Sequence, residues 1–308
     1  MKKDESNRLQ MNSLSEIHRA FGLPAPLHPL ICIVDAATNR LILEKMPKSH
    51  VLHFYKISYK PRLGGKLKYG QDYYDFDEGG LLFAAPNQII GHPEDGEGDV
   101  CSQYTLLVHP DFLWNYPLAK TIKQFGFFSY SANEALHLSD EEKETILSIF
   151  FFLIEKELKS RIDDFSQNVI ISQLELLLNY SNRFYKRQFL TRKTANSSLL
   201  QKLEEILEHY FESNNTVLKG LPSVQYLAES LNVSPSYLSD MLRSLTGQNA
   251  QQHIHNKLIE KAKEKLSTTG LSVGEVAYAL GFEHPQSFNK LFKTKTQLSP
   301  LEFRRSFN

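Results

Sequence analysis

The last third of the chain contains an internal repeat, and this repeat is the feature that most constrains the fold. The segment VQYLAESLNVSPSYLSDMLRSLTG (224–247) aligns with VGEVAYALGFEHPQSFNKLFKTKTQ (273–297). One residue has been added in the second copy, just after the centre of the unit. The matched pairs are Ala228/Ala277, Asn232/Gly281, Leu238/Phe288, Met241/Leu291 and Leu242/Phe292. The pattern predicts a duplicated pair of helices rather than two unrelated helical stretches.

Each copy has the parts of a helix-turn-helix. Asn232 and Gly281 are the structural turn residues, because Asn and Gly end a helix in the left-handed conformation at the least cost. Pro235 and Pro285 follow shortly after, and Pro is favoured at the first position of a new helix. Small alanines four residues before each turn would let the two helices cross closely.

Polar side chains occupy the outward face of the second helix in each copy. In a helix-turn-helix this face meets base edges in the major groove, while basic side chains and helix N-terminal N–H groups bind phosphate. A helix over residues 250–270 would separate the copies by a span comparable to one turn of DNA, ~34 Å. The predicted DNA-binding residues are Ser236, Ser239, Asp240 and Arg243 in the first copy and Gln286, Ser287, Asn289, Lys290 and Lys293 in the second.

Residues 199–308 resemble the DNA-binding domain of AraC/XylS-type transcription regulators. The resemblance rests on LAESLNVSPSYLSDMLRSLTG, on the connector KLIEKAKEKLSTTGLSVGEVAYALGF and on the closing Ser299-Pro300 and Phe303-Arg304. It covers about a third of the chain and implies two helix-turn-helix subdomains that enter adjacent major grooves. Two departures from the family pattern are Asp240, where Arg or Gln is frequent, and Gln297, where Gly is usual.

Residues from about 28 to 110 form short runs rich in β-branched and aromatic side chains, separated by turn signals. This pattern predicts a small β-barrel or sandwich. The stretch GGLLFAAPNQ (79–88) resembles, more weakly, the cupin-like sensor of the same family. That resemblance implies a barrel that binds a small-molecule effector, and its aromatic side chains suit a sugar or an organic acid. The ligand-binding residues are not identified. The His-x-His pair of metal cupins is missing, so no metal site and no cofactor are predicted.

Two helices are predicted after the strands. Ser139 and Glu142 form a capping-box pattern that begins a helix reaching about residue 159. The second helix carries a one-sided apolar stripe with two open interpretations: it covers the barrel, or it meets the same helix of a second copy of the chain. The stripe consists of Phe165, Val169, Ile170, Leu174, Leu177, Leu178 and Tyr185.

The predicted fold class is α+β multidomain. It comprises an N-terminal arm over 1–27, a cupin-like ligand-sensing β-barrel over 28–138, a helical cover or dimerisation segment over 139–187, a polar and basic linker over 188–198, and an all-α double helix-turn-helix domain over 199–308.

The composition agrees with a globular protein of more than one domain. The 308 residues are 41% hydrophobic and carry no net formal charge, which argues against indiscriminate binding to polyanions. Residues 216–308 nevertheless hold 11 Lys and Arg against 7 Asp and Glu. No run is long and apolar enough for a membrane span, and no secretory signal is visible, so we expect a cytoplasmic protein with no membrane partner. Cys32 and Cys101 are expected to be buried thiols.

These features predict a sequence-specific transcription regulator controlled by an effector in the N-terminal barrel. The expected partners are double-stranded operator or promoter DNA, the small-molecule effector and a second copy of the chain, with RNA polymerase as a further candidate. No catalytic residue is predicted, and the chain is not expected to be an enzyme. Two alternatives stay open: a cupin-type metalloenzyme fused to a DNA-binding module, and a constitutive DNA-binding protein with a structural barrel.

Overall fold

A computed structural model describes residues 9–36, 49–62, 67–69, 72–74, 79–91, 102–131, 134–160, 163–213 and 215–307. The chain divides into two compact units, Met1–Thr191 and Arg192–Asn308. Within the described segments, no helix has both the length and the apolar character that crossing a bilayer requires.

The first unit contains the strands. They are β1 (Leu9–Met11), β2 (Ile31–Asp35), β3 (Ser49–Leu52), β4 (Tyr55–Lys60), β5 (Leu67–Tyr69), β6 (Asp72–Tyr74), β7 (Gly80–Ala84), β8 (Ile89–Gly91), β9 (Tyr104–Val108) and β10 (Leu136–His137). An antiparallel five-stranded sheet has the order β10-β7-β4-β9-β2. In its centre Ile57 lies opposite Phe83 on one side and Leu106 on the other, and all three side chains are buried.

A smaller three-stranded sheet has the order β1-β3-β8, and β5 pairs with β6 as a hairpin. Among the described strands, no backbone pairing joins the two larger sheets, so these strands do not close into the predicted cupin-like barrel. The chain passes from one sheet to the other at bends between β3 and β4 and between β7 and β8. At the second bend Asn87 is left-handed (φ 68°), and its N–H donates to the Leu52 carbonyl at 2.8 Å. Such a bend turns the backbone donors away from the first sheet and ends the strand pairing there.

The N-terminal residues belong to the packed core of this unit. Helix α1 (Leu14–Phe21) begins with a capping box formed by Ser13 and Glu16. Its apolar side and β1 pack with residues from both larger sheets in one cluster. The cluster consists of Met11, Leu14, Ile17, Phe21, Cys32, Val34, Leu52, Phe54 and Leu107. Cys32 is a free, buried thiol, whereas Cys101 lies outside the described residues.

Helices complete the first unit. Helix α2 (Leu118–Thr121) lies among short 3-10 turns, and α3 (Asp140–Leu147) begins with the predicted capping box of Ser139 and Glu142. A π-helical segment (Ser148–Glu155) and α4 (Lys156–Lys159) follow, and α5 (Ser166–Thr191) is the longest helix described in this unit, with 26 residues.

The apolar stripe of α5 is divided between the interior and the surface. Its members Ile170, Leu174, Leu177, Leu178 and Tyr185 are buried within the chain. Tyr185 stacks on Phe127 with ring centroids 5.4 Å apart. The stripe therefore covers the sheet, as one of the two interpretations expected, while Phe165 and Val169 are exposed.

The polar segment 188–198, predicted as a linker, is helical on both sides of a single break. Helix α5 runs to Thr191 and α6 (Lys193–Glu212) starts two residues later. Arg192 between them has φ −84° and ψ 36°. Lys, Arg, Gln and Ala all have good helix propensity, so polar composition alone does not prevent a helix here.

The second unit is helical throughout its described part. After α6 come α7 (Asn215–Lys219), α8 (Val224–Ser230), α9 (Pro235–Thr246), α10 (Ala250–Thr268), α11 (Val273–Ala279), α12 (Pro285–Thr296) and α13 (Pro300–Arg305). The long helix α10 buries one side, composed of Ala250, Ile254, Leu258, Ile259, Ala262 and Leu266.

A cluster of charges joins α6 to α10. The Glu208 carboxylate contacts the ammonium groups of both Lys257 and Lys261, and Lys257 also lies 2.9 Å from Glu260. Hydrogen bonds from Lys257 and then Lys261 lower the pKa of Glu208 to about 2. The ionised carboxylate is thus favoured in the folded chain.

We expect the contribution of Glu208 to depend on pH. Because its folded pKa lies below its unfolded pKa, the stabilisation is present above the ordinary pKa of 4.5 and is lost as pH falls toward about 2. Glu208→Gln should lower the urea midpoint of the full chain at pH 7, and its difference from wild type should narrow below about pH 4.5. The matched control is Glu205→Gln, on the same helix. A Glu208→Gln difference that is constant from pH 7 to pH 3.5 would contradict this account.

Candidate nucleic-acid interface

The two turns of the repeat have the same backbone hydrogen bonds. In the first, Asn232 N–H donates to Glu229 O at 3.1 Å and Val233 N–H to Ala228 O at 3.0 Å. In the second, the equivalent bonds run from Gly281 to Tyr278 at 2.9 Å and from Phe282 to Ala277 at 3.0 Å. This is a helix C-terminus closed by a left-handed residue, with φ 55° at Asn232 and φ 90° at Gly281.

The second turn has a further constraint that the first does not share. A Cβ atom at Gly281 would lie 2.8 Å from Thr216 O and 2.9 Å from the carbonyl carbon of Gly220. Thr216 also donates from its hydroxyl to Ala279 O at 2.9 Å. The backbone of α7 and of the residues just after it therefore packs directly on this turn, and a side chain at Gly281 has no room.

The two second helices of the repeat begin differently. At α9 the Ser234 hydroxyl accepts from Tyr237 N–H at 3.2 Å, so a side chain caps the helix. At α12 the N-cap residue is His284, whose side chain makes no capping hydrogen bond, and Pro285 follows it. The first turn of α12 consequently keeps N–H groups without a side-chain acceptor, and such groups bind anions such as phosphate.

The four predicted residues of the first copy lie on α9. Ser236, Ser239 and Asp240 are half-buried, and Arg243 is exposed. Arg243 Nη1 lies 2.7 Å from Asp240 Oδ1, one helical turn away. Asp240, which departs from the family pattern, therefore forms an ion pair with a basic residue on the same face.

The five predicted residues of the second copy lie on α12. Gln286, Ser287, Asn289, Lys290 and Lys293 are all exposed. The opposite side of α12 is fixed by Phe288 and Phe292, both fully buried, while Leu291 is half-buried. Phe292 also meets Phe303 of α13 edge-on, with ring centroids 5.5 Å apart. The exposed polar face is thus larger on α12 than on α9.

Helix α10 connects the two copies and has anchors at its end. It has 19 residues, which corresponds to about 28 Å. Arg304 Nε donates to Leu266 O at 3.1 Å and so binds a carbonyl near the C-terminus of α10. Lys257 and Lys261 are engaged with Glu208, so these two lysines are less available for phosphate than those of α12.

Sequence reasoning missed the role of residues 216–220. Gly220 is left-handed (φ 75°) and its carbonyl accepts from the Tyr210 hydroxyl at 3.1 Å. The sequence Lys219-Gly220-Leu221-Pro222 carries the usual signal for a helix end, Gly followed closely by Pro, and could have located this turn. The packing against Gly281 has no sequence signal, because its partners are more than 60 residues apart.

The described residues of the first unit contain no group of three His, Cys, Asp or Glu side chains placed to hold a metal ion. His53 lies in the bend between β3 and β4, and His92 is outside the described residues.

Residues 227–306 match a family model described as a helix-turn-helix domain. The uncharacterized HTH-type transcriptional regulator YijO of Escherichia coli (strain K12) is 30% identical over 122 residues, which cover 40% of this chain and 42% of that protein. The uncharacterized HTH-type transcriptional regulator YfiF of Bacillus subtilis (strain 168) is 24% identical over 263 residues, covering 83% of this chain and 78% of that one. This chain thus spans less than half the length of the E. coli protein.

Among solved structures, the DNA-binding domain of AdpA, the global transcriptional factor, in complex with a target DNA is similar to this chain. The identity is 28%, the match covers 35% of this chain and 91% of that one, and the TM-score is 0.31.

The difference between the two turns can be measured by exchanging their residues. Gly281→Asn, which copies the first turn into the second, should destabilise the full chain by roughly 2–4 kcal/mol, because its Cβ meets backbone atoms that cannot move aside. The matched variant Asn232→Gly should change stability by less than about 0.5 kcal/mol. Urea unfolding measures both. Equal effects of the two substitutions would contradict the close packing at Gly281.

Proposed function

We propose that this chain is an AraC-type helix-turn-helix transcription regulator and that it binds specific double-stranded DNA through α9 and α12, which the match of residues 227–306 to a helix-turn-helix domain supports. The observation that carries the proposal is the repeated turn, with the same hydrogen bonds in both copies, followed each time by a helix whose polar side is turned to solvent. One such unit could be an ordinary helical hairpin. The helix that joins the two units is about 28 Å long, which is comparable with the ~34 Å between adjacent major grooves on one side of a duplex.

The two recognition helices have different roles in this proposal. The side chains of Gln286 and Asn289 carry both donors and acceptors, and the amide group of either can form a bidentate pair with adenine. Lys290, Lys293 and the uncapped N-terminus of α12 bind phosphate. On α9 the Asp240–Arg243 pair leaves less free positive charge, so we assign α12 the larger electrostatic share of binding.

The test of DNA recognition is selection of binding sequences from a random duplex library, followed by hydroxyl-radical footprinting of the best site. We expect two protected segments on one face, about 10 base pairs apart, for each chain bound. Protection of a single segment, or binding without sequence preference, would overturn the bipartite mode.

A second copy of the chain is the proposed partner of α5. Its exposed apolar residues Val169, Leu176 and Leu190, together with Phe165 just before its first residue, fall within about 60° of one another at 100° per residue, so they lie along the solvent side. Their side chains are 39%, 42%, 54% and 71% exposed, in that order. This stripe, the outer stripe, is distinct from the buried residues that cover the sheet. Because the same stripe on two copies is self-complementary, it suits a two-fold symmetric dimer.

Control by a small-molecule effector completes the proposed function. The first unit packs α1 and strands of its two larger sheets around one core, and α5 ends at the last residue of that unit. An effector that favours one arrangement of these elements would shift the population of DNA-binding states. RNA polymerase is the further partner proposed for the chain at a promoter.

Base-reading and phosphate-binding residues should respond differently to substitution. Gln286→Ala or Asn289→Ala should reduce the preference for the selected site over mismatched sites by ~1–3 kcal/mol for each base that the variant no longer reads. Lys293→Ala should weaken binding evenly to all sequences and reduce the slope of log K against log salt by about 1. Exposed Gln201→Ala, on α6, is the control. If all three variants behave alike in competition binding, the division of roles is wrong.

The outer stripe makes a separate prediction about assembly. Leu176→Glu places a charge in the centre of the apolar stripe and should convert the dimer to a monomer at micromolar concentration, as measured by sedimentation velocity. The same change at Leu218, an exposed leucine of α7 in the second unit, is the control and should leave the dimer intact. A dimer that survives Leu176→Glu would exclude the outer stripe as the interface.

A further inference from the structure

A cavity of about 250 Å³ lies in the first unit. Its walls come from three parts of the chain: His18 of α1 with the segment that follows it (23–27), the whole of β2, and the end of the helical region at Glu155, Leu158 and Lys159. Its volume is about eight times the share of one water molecule in the liquid, ~30 Å³. The space is therefore suited to a small organic molecule rather than to a single water.

The cavity runs along an edge of the five-stranded sheet. All five residues of β2, from Ile31 to Asp35, contribute to its wall, although successive side chains of a strand point to opposite faces. A space that meets both sets of side chains must lie beside the strand. Among the described strands, β2 is the terminal strand of the sheet and pairs with β9 on its other side only.

One buried polar side chain in the wall has an unused hydrogen-bonding atom. His18 is 7% exposed, and its Nδ1 contacts the carbonyl of Pro24. Because a carbonyl can only accept, Nδ1 carries a proton, and in this tautomer Nε2 is left as an acceptor. Nε2 has no hydrogen-bond partner among the residues that the structure describes. A buried acceptor without a partner is costly, and a donor on a bound molecule would satisfy it.

The other polar side chains in the wall are charged. Asp35 and Glu155 contribute carboxylates, and Lys159, the one Lys or Arg among the described residues of the wall, lies 2.7 Å from Glu155. The Glu155 carboxylate is thus paired with Lys159, and His18 Nε2 is the group that favours a donor ligand over an acceptor ligand. The remaining surface, with Leu23, Pro24, Ile33 and Leu158, is apolar.

From this arrangement we propose that the cavity binds a small molecule with an apolar body and a hydrogen-bond-donating hydroxyl or amino group. The proposal rests on the proposed function and narrows its effector class: an ionised organic acid has no proton to donate to His18 Nε2, which disfavours it. The cavity joins the N-terminal loop to the helical layer that precedes α5, so a bound molecule holds these two parts together.

Three probes with the same aromatic body test the proposal: 2-phenylethanol, 2-phenylethylamine and phenylacetate. Each is titrated into the full chain with ¹³C-labelled isoleucine δ1 methyl groups. We expect the Ile33 methyl signal to shift saturably with the alcohol, the amine or both, and the two arms decide between a hydroxyl and an amino ligand. Phenylacetate should leave this signal in place, and the Ile259 methyl of the second unit should not respond to any probe.

Two variants locate the binding. Ala25→Trp, at an exposed position of the wall, should fill the cavity and abolish the Ile33 shift. His18→Phe keeps an aromatic ring but removes the acceptor. It should weaken the affinity for 2-phenylethanol by roughly tenfold, as expected for the loss of one strong hydrogen bond. His28→Phe, in the same region but outside the wall, is the matched control.

The cavity proposal is overturned if no probe moves Ile33, if phenylacetate binds as well as the alcohol and the amine, or if Ala25→Trp leaves the shifts unchanged. Binding to the selected DNA is measured on the same preparations by an electrophoretic mobility shift assay. DNA binding with an unmoved Ile33 signal defeats the cavity and leaves the regulator function standing. Saturable shifts of the Ile33 signal without DNA binding support the cavity and defeat the regulator function.

Discussion

The second unit depends on close packing between two pieces of backbone. The turn at Gly281 touches Thr216 of α7 and Gly220 just after that helix, at a distance that excludes any side chain. Hydrogen bonds from Thr216 to Ala279 and from Tyr210 to Gly220 hold the two segments in this position. Helices α6 and α7 come before the first helix-turn-helix in the sequence. This packing therefore connects the second turn to a segment that lies N-terminal to the first copy. The placement of α12 thus follows from backbone packing as well as from the apolar core.

The two copies have a common frame and different chemistry. Their turns are closed by the same pair of hydrogen bonds, yet α9 has a serine cap and an internal ion pair, whereas α12 has neither. A duplicated unit can keep its backbone geometry while its surface changes, because the buried positions determine the helix crossing and the exposed positions do not. The electrostatic asymmetry between α9 and α12 is therefore compatible with their structural likeness.

Local features of the fold were predictable from sequence, and long-range features were not. The left-handed turns at Asn232 and Gly281 and the capping box at Ser139 follow from residue types a few positions apart. The exposure of the five candidate residues on α12 likewise agrees with helical periodicity. Which apolar side chains of the α5 stripe are buried could not be predicted from the sequence. Phe165 and Leu174 are both apolar, and only the position of the sheet makes one exposed and the other buried. The sheets were predicted to close into a barrel, and the described strands do not do so. The strand patterns of the sequence carry no information on which strand edges pair.

The edges of the five-stranded sheet have a consequence for aggregation. One edge ends in β10, which is only two residues long and is held by Gln188 of α5 through His137 N–H. The other edge, β2, is screened by the loop after α1 and by the end of the helical layer. Short or covered edge strands give a foreign strand no continuous row of backbone donors and acceptors to extend. Among the described strands, both edges of this sheet are thus poor templates for the addition of a strand from another molecule.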